Sequence, residues 1–125
     1  MEHSPQTLWR KSILIIEDEP LIALGVHSAL KSAGASILSA TTVNEATRLI
    51  GYAEISAAIV DVRLGSEDAS TVCRLLARRN VPFVFYTGQP RTTPIFAEWP
   101  KVDVFSKTTP FEQVVWALDR LLSTR

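Results

Sequence analysis

The chain has 125 residues, 46% apolar and 21% charged, which suits one globular domain and excludes intrinsic disorder. Thirteen basic and thirteen acidic residues cancel, removing any bulk attraction to nucleic acid or an anionic membrane. Cys73 is the only cysteine, so neither an internal disulfide nor a cysteine-built zinc site can form. No apolar run nears the ~20 residues of a membrane span, residues 1–12 lack the apolar segment of a signal peptide, and the expected setting is the reducing cytoplasm.

Two periodicities alternate along the chain. Residues 13–16 (ILII) form a short β-branched run, the signature of a strand buried on both faces. Over 20–34 the spacing predicts a helix, with Ile22, Val26, Ala29, Leu30 and Ala33 inward, Pro20 in the first turn and Gly34 as the stop. Residues 36–41 read as a weak strand. Thr42 and Glu45 then form a capping box ahead of a helix that buries Ala46, Leu49, Ile50 and Ala53. Residues 57–60 are a second buried-type strand, ending at Asp61. A helix over 70–80 turns Val72, Leu75 and Leu76 inward. Residues 82–86 are the next strand, ending at Thr87-Gly88. Pro90, Pro94 and Pro100 limit any helix within 89–100 to a short one, and this segment is expected to be the least stable part of the domain and the part that reorders. Residues 102–106 form the last strand, ending at Lys107. Thr109 and Glu112 form a second capping box with Pro110 at the first helical position. The closing helix carries Phe111, Val114, Val115, Leu118, Leu121 and Leu122 on one stripe. Strands joined by helical crossovers predict an α/β domain, a doubly wound five-stranded parallel sheet with helices on both faces. Residues 1–10 are expected to form a tail and 11–125 the domain.

Ligands of such sheets sit beyond the carboxyl ends of the strands. Glu17, Asp18, Glu19, Asp61, Thr87 and Lys107 all fall at those ends. Singly, each has a dull explanation: acidic residues cap helices, and Thr87-Gly88 can be a turn. Together they bring carboxylates, a hydroxyl and an ammonium to one edge. Clustered carboxylates resist ionisation unless a cation joins them, and oxygen-only donors suit Mg²⁺. A carboxylate held by metal and lysine can attack phosphorus to give an aspartyl phosphate.

The segments Ile13 to Pro20 (ILIIEDEP), Ile59 to Gly65 (IVDVRLG), Tyr86-Thr87-Gly88 and Phe105-Ser106-Lys107 resemble the receiver domain of bacterial two-component response regulators in order and spacing, from about Lys11 to Leu122. The resemblance implies the flavodoxin-like strand order 2-1-3-4-5. It implies Asp61 as phosphoacceptor, Thr87 and Lys107 as phosphoryl-binding groups, and Mg²⁺ held by Glu17, Asp18, Asp61 and the Arg63 carbonyl. It further implies a histidine kinase or histidine phosphotransfer protein as donor, and a downstream protein partner or a homodimer as output. Direct nucleic-acid contact and membrane insertion are not expected, nor is enzymatic activity beyond the domain's own phosphorylation and dephosphorylation.

Three positions depart from the common family pattern. The acidic pair is Glu17-Asp18 where Asp-Asp is usual. Thr108 stands where a proline after a cis bond is usual, so a trans bond or local rearrangement is expected. Val104 stands where a switching aromatic is usual, and alternation points Phe105 to the opposite face. Residues 82–89 (PFVFYTGQ) resemble the PFxFATGY segment of the FATGUY subgroup, many of whose members lack that aromatic. A phosphatase would want an aspartate where Arg63 stands, and Glu17-Asp18-Glu19 would repel a flavin phosphate. The alternative within the family is a phosphorylation-independent protein-binding module. Cys73 is expected to pack, His3 and His27 are too few for a site, and Trp99 and Trp116 are candidate interface residues.

Overall fold

The computed structural model describes residues 7–123. In chain order the elements are β1 Ser12–Ile16, α1 Pro20–Ser32, β2 Ser36–Ala40, α2 Val43–Tyr52, β3 Ala57–Val60, β4 Arg63–Leu64, β5 Glu67–Asp68, α3 Ser70–Arg78, β6 Phe83–Thr87, α4 Pro94–Glu98, β7 Val104–Ser106 and α5 Phe111–Ser123. Five strands form one sheet in the order β2-β1-β3-β6-β7, with every pairing parallel. Numbering only these five gives 2-1-3-4-5, as expected.

Alternation within the strands divides the core into two layers. Leu14, Ile16, Ala58, Val60, Phe83 and Phe85 point to the layer covered by α2, α3 and α4. Ile13, Ile15, Ala57, Ile59, Val84 and Tyr86 point to the layer covered by α1 and α5. Both faces of β1, β3 and β6 are therefore buried, which is why these segments read as unbroken apolar runs. Val104 and Phe105 fall in opposite layers, as alternation requires.

Helix ends follow local chemistry. At the end of α1 the Gly34 N–H donates to the Lys31 carbonyl at 3.0 Å and the Ala35 N–H to the Leu30 carbonyl at 3.1 Å. Gly34 makes this closure cheap because its φ is +91°. A second glycine is required by packing: a Cβ on Gly25, within α1, would lie 2.3 Å from the Phe111 ring. At α2 the Glu45 N–H donates to Thr42 Oγ1 at 3.0 Å, but the Glu45 carboxylate accepts from the Thr41 N–H at 2.8 Å, one residue beyond the expected partner. α5 starts at Phe111, with Pro110 before it, and the Thr109 carbonyl accepts the Tyr86 hydroxyl at 3.0 Å.

Two features lie outside the expected pattern. The loop after β3 holds an antiparallel hairpin, β4 paired with β5 around Gly65-Ser66. Leu8, assigned to the tail, is fully buried against the α1/α5 layer, and its N–H donates to the Ala33 carbonyl at 2.9 Å. The first six residues of that tail, His3 included, and the last two residues of the chain lie outside the described residues.

α4 is five residues long, as the prolines require. Its Ile95 and Phe96 are buried, and Phe96 stacks edge-on to Phe85 at 5.4 Å. Trp99 is half-buried and packs against Phe83 at 5.5 Å, whereas Trp116 is 61% exposed. Cys73 is fully buried, and desolvation pushes its thiol up to about 12. The native chain should therefore resist iodoacetamide at pH about 8, where an ordinary thiol of pKa about 8.5 reacts, and react once denatured. Equal rates in both states would show that Cys73 is accessible.

Candidate phosphoryl-transfer site

Each site residue stands where a strand ends. The Glu17 N–H extends the β1 ladder by donating to the Ala40 carbonyl at 3.0 Å, and the Asp61 N–H does so at β3, to the Ile16 carbonyl at 2.9 Å. Thr87 ends β6, and its register partner Ser106 places Lys107 one residue beyond β7. Parallel pairing thus brings four elements to one edge.

Lys107 is the hub. Its Nζ donates to Asp61 Oδ2 at 2.8 Å, to Glu17 Oε2 at 3.0 Å and to Glu19 Oε1. An ammonium has three protons, and each finds a carboxylate. Glu17, Asp61 and Thr87 are buried polar residues, while Glu19 is exposed. Burial raises the Glu17 carboxyl to about 7; its bonds from the Glu19 N–H and from Lys107 oppose this, and the Asp61 charge adds to it. Burial acts to lower the Lys107 ammonium, but its bonds to Asp61, Glu19 and Glu17 outweigh that and hold it above its ordinary value.

Loops on either side complete the edge. Asp61 Oδ1 accepts the Arg63 N–H at 3.4 Å, and Thr87 Oγ1 accepts the Gln89 N–H at 3.2 Å. The latter bond leaves the Thr87 hydroxyl proton for another acceptor. The hairpin also orients Arg63. It pairs with Asp68, while the Ala69 N–H donates to the Val62 carbonyl at 2.9 Å. In this register the Arg63 main-chain groups point away from β5, which frees its carbonyl for a ligand.

Glu17, Glu19 and Asp61 offer oxygens within 4.8 Å of one another. These hard donors, with the freed Arg63 carbonyl, fit a Mg²⁺ ion. Asp18, expected in that set, is placed differently: its Oδ2 accepts the Gly65 N–H at 2.8 Å, tying the β1 loop to the hairpin turn. Glu19 instead joins Glu17 and Asp61. Tyr86 is a supporting residue that strand periodicity does not reveal. Its hydroxyl donates to the Thr109 carbonyl at 3.0 Å and so anchors the loop that carries Lys107.

The sequence pattern of the response regulator receiver domain matches residues 13–118. The chain belongs to that family. The receiver shares its fold with a response regulator receiver protein from Sinorhizobium medicae WSM419, at 24% identity and a TM-score of 0.81, over 90% of this chain and 94% of that one. A CheY-like receiver domain protein from Methanospirillum hungatei JF-1 is 19% identical with a TM-score of 0.81, over 91% and 94% of the two chains. The response regulator TrrA from Thermotoga maritima, solved in complex with Mg²⁺-BeF, is 18% identical with a TM-score of 0.78, over 89% and 98%. No curated protein matches this receiver. None of its described peptide bonds is cis, including the one between Lys107 and Thr108. No described helix is long and apolar enough to cross a membrane.

Proposed function

We propose that this receiver takes a phosphoryl group onto Asp61 and passes the event on through protein contacts in the cytoplasm. The observation that carries this reading is a buried carboxylate bonded to a lysine at 2.8 Å on the edge that also presents a buried threonine hydroxyl. An Asp61 carboxylate oxygen attacks the phosphorus of a phosphohistidine on a kinase or phosphotransfer protein. The P–N bond breaks, and its electron pair leaves with the imidazole, which takes up a proton. The chain is then a phosphoacceptor rather than an enzyme acting on a separate substrate.

Lys107 balances the charge gathering on the phosphoryl oxygens, and Thr87 donates its free proton to one of them. Glu17, Glu19, Asp61 and the Arg63 carbonyl would hold Mg²⁺, and Asp18 would join them through the oxygen not bonded to Gly65. When bound, the ion supplies positive charge against the phosphoryl oxygens. The Mg²⁺-BeF complex of the Thermotoga relative supports this assignment. Residues 82–89 together with Val104 support the FATGUY subgroup.

Acetyl phosphate with Mg²⁺ should add one phosphoryl mass to the intact protein. No gain would favour the phosphorylation-independent binding module. Arg63 and Gln89 flank the path by which water would reach the aspartyl phosphate, so Arg63→Ala and Gln89→Ala should each shorten its lifetime severalfold. Decay at the wild-type rate in both variants would make these two residues ordinary loop positions.

A further inference from the structure

A cavity of about 280 Å³ opens where β6 and β7 begin, at the edge of the sheet opposite Asp61. Its wall is mainly apolar: Val81, Pro82 and Phe83 at the start of β6, Val102 ahead of β7, Leu121 of α5 and the ring of Trp99. Lys101 and Asp103 also line it, and both are exposed. One cation and one carboxylate cancel, so the cavity favours a neutral guest over an ion.

The wall holds an unused donor. The Trp99 indole N–H is buried without an acceptor, and among the described residues no other buried side-chain nitrogen or oxygen lacks a partner. A buried donor left unpaired costs about 1–3 kcal/mol, so folded proteins rarely keep one. Ordered water is a poor remedy, because it needs several polar partners and the wall is mainly apolar. The indole ring is also held in place. Trp99 meets Phe83 edge-on at 5.5 Å, Phe83 meets Phe85 at 5.6 Å, and Phe85 meets Phe96 of α4 at 5.4 Å. This ladder of rings fixes the wall before any guest arrives, which lowers the entropy cost of binding.

We propose that the cavity binds a small neutral aromatic molecule carrying one acceptor oxygen, an aryl ketone in size and chemistry. Its ring packs against Phe83, Val102 and Leu121, and its oxygen accepts the Trp99 N–H. A single ring suits the volume, which lies just below the roughly 300 Å³ at which pockets begin to hold drug-sized ligands. The guest meets β6 at its first residue, Phe83, whereas Thr87 is its last. Binding therefore needs no phosphoryl group and can be tested separately from phosphoryl transfer.

The test titrates acetophenone into the full chain labelled with ¹⁵N. The Trp99 indole resonance, assigned by its loss in Trp99→Phe, should move downfield and saturate with a Kd of about 1 mM or below. The resonances of the exposed Trp9 and Trp116 should stay in place. Ethylbenzene lacks the oxygen and should bind about fivefold more weakly, read from the Phe83 and Val102 amides. Trp99→Phe should erase that preference while leaving both compounds able to bind. Ala77 lines the cavity from the exposed side of α3, so Ala77→Trp can fill it without entering the core. With unchanged thermal melting, this variant should bind acetophenone at least about tenfold more weakly. The proposal is overturned by absence of saturation at about 10 mM acetophenone. Equal binding of ethylbenzene, or tighter binding of benzoate, would each overturn it as well. So would a Trp99 resonance that moves with protein concentration alone, which would give the cavity to a second copy.

Discussion

Asp61→Asn should keep the fold and lose the phosphoryl group, with incorporation from any donor falling on the order of 10⁴-fold or more, the usual consequence of deleting a nucleophile. Asparagine fills the same volume, and Lys107 keeps Glu17 and Glu19 as partners, so the sheet edge has no reason to collapse. What is lost is the carboxylate oxygen that forms the bond to phosphorus. Intact-mass measurement after acetyl phosphate and Mg²⁺ reads the outcome directly. A stoichiometric gain in this variant would move the acceptor to another carboxylate.

Lys107→Met should be the most destabilising single change at the site. The side chain is only 15% exposed, and its partners Glu17 and Asp61 are 4% and 6% exposed. Removing one member of a buried ionic group leaves the others uncompensated, which costs about 3–5 kcal/mol. The cost should depend on pH. Without the ammonium the folded-state Glu17 carboxyl rises further above its unfolded value, and it already stands at about 7 against an ordinary 4.5. A raised carboxyl makes the folded state bind more protons than the unfolded one, so stability falls as pH rises. The variant carries the larger rise. Its deficit is therefore widest above pH 7 and narrows as the pH falls toward 4.5. Urea titrations on both proteins at several pH values give the comparison. A deficit below about 1 kcal/mol, the worth of an exposed pair, would mean that solvent already screens the cluster.

Much of the fold was legible because parallel, doubly covered strands leave an unmistakable mark. Residues 13–16, 57–60 and 83–86 are apolar at every position, and only a strand buried on both faces requires that. The site's location followed from topology: Asp61, Thr87 and Lys107 each end a strand, and parallel strands end together. Details that depend on side-chain reach were not legible. Glu17, Asp18 and Glu19 are consecutive acids, and nothing in their order says that Asp18 would take the Gly65 N–H while Glu19 turned to Lys107. The hairpin of β4 and β5 has two residues per strand, too few for any periodicity, yet it orients the Arg63 carbonyl. Tyr86 fits the strand pattern by its ring alone, and its role lies in a hydroxyl that reaches across to Thr109. Leu8 has only Trp9 as an apolar neighbour, too little for any periodicity, so only the folded α1/α5 layer explains its burial.

The central claim is that Asp61 receives the phosphoryl group, and reductive trapping tests it most directly. Borohydride converts an aspartyl phosphate to homoserine, which marks the acceptor in a peptide digest. After treatment of the wild-type chain with acetyl phosphate and Mg²⁺, homoserine should appear at position 61 and at no other aspartate. Homoserine at position 18, or its absence from the whole digest of a protein that had gained phosphoryl mass, would contradict the account.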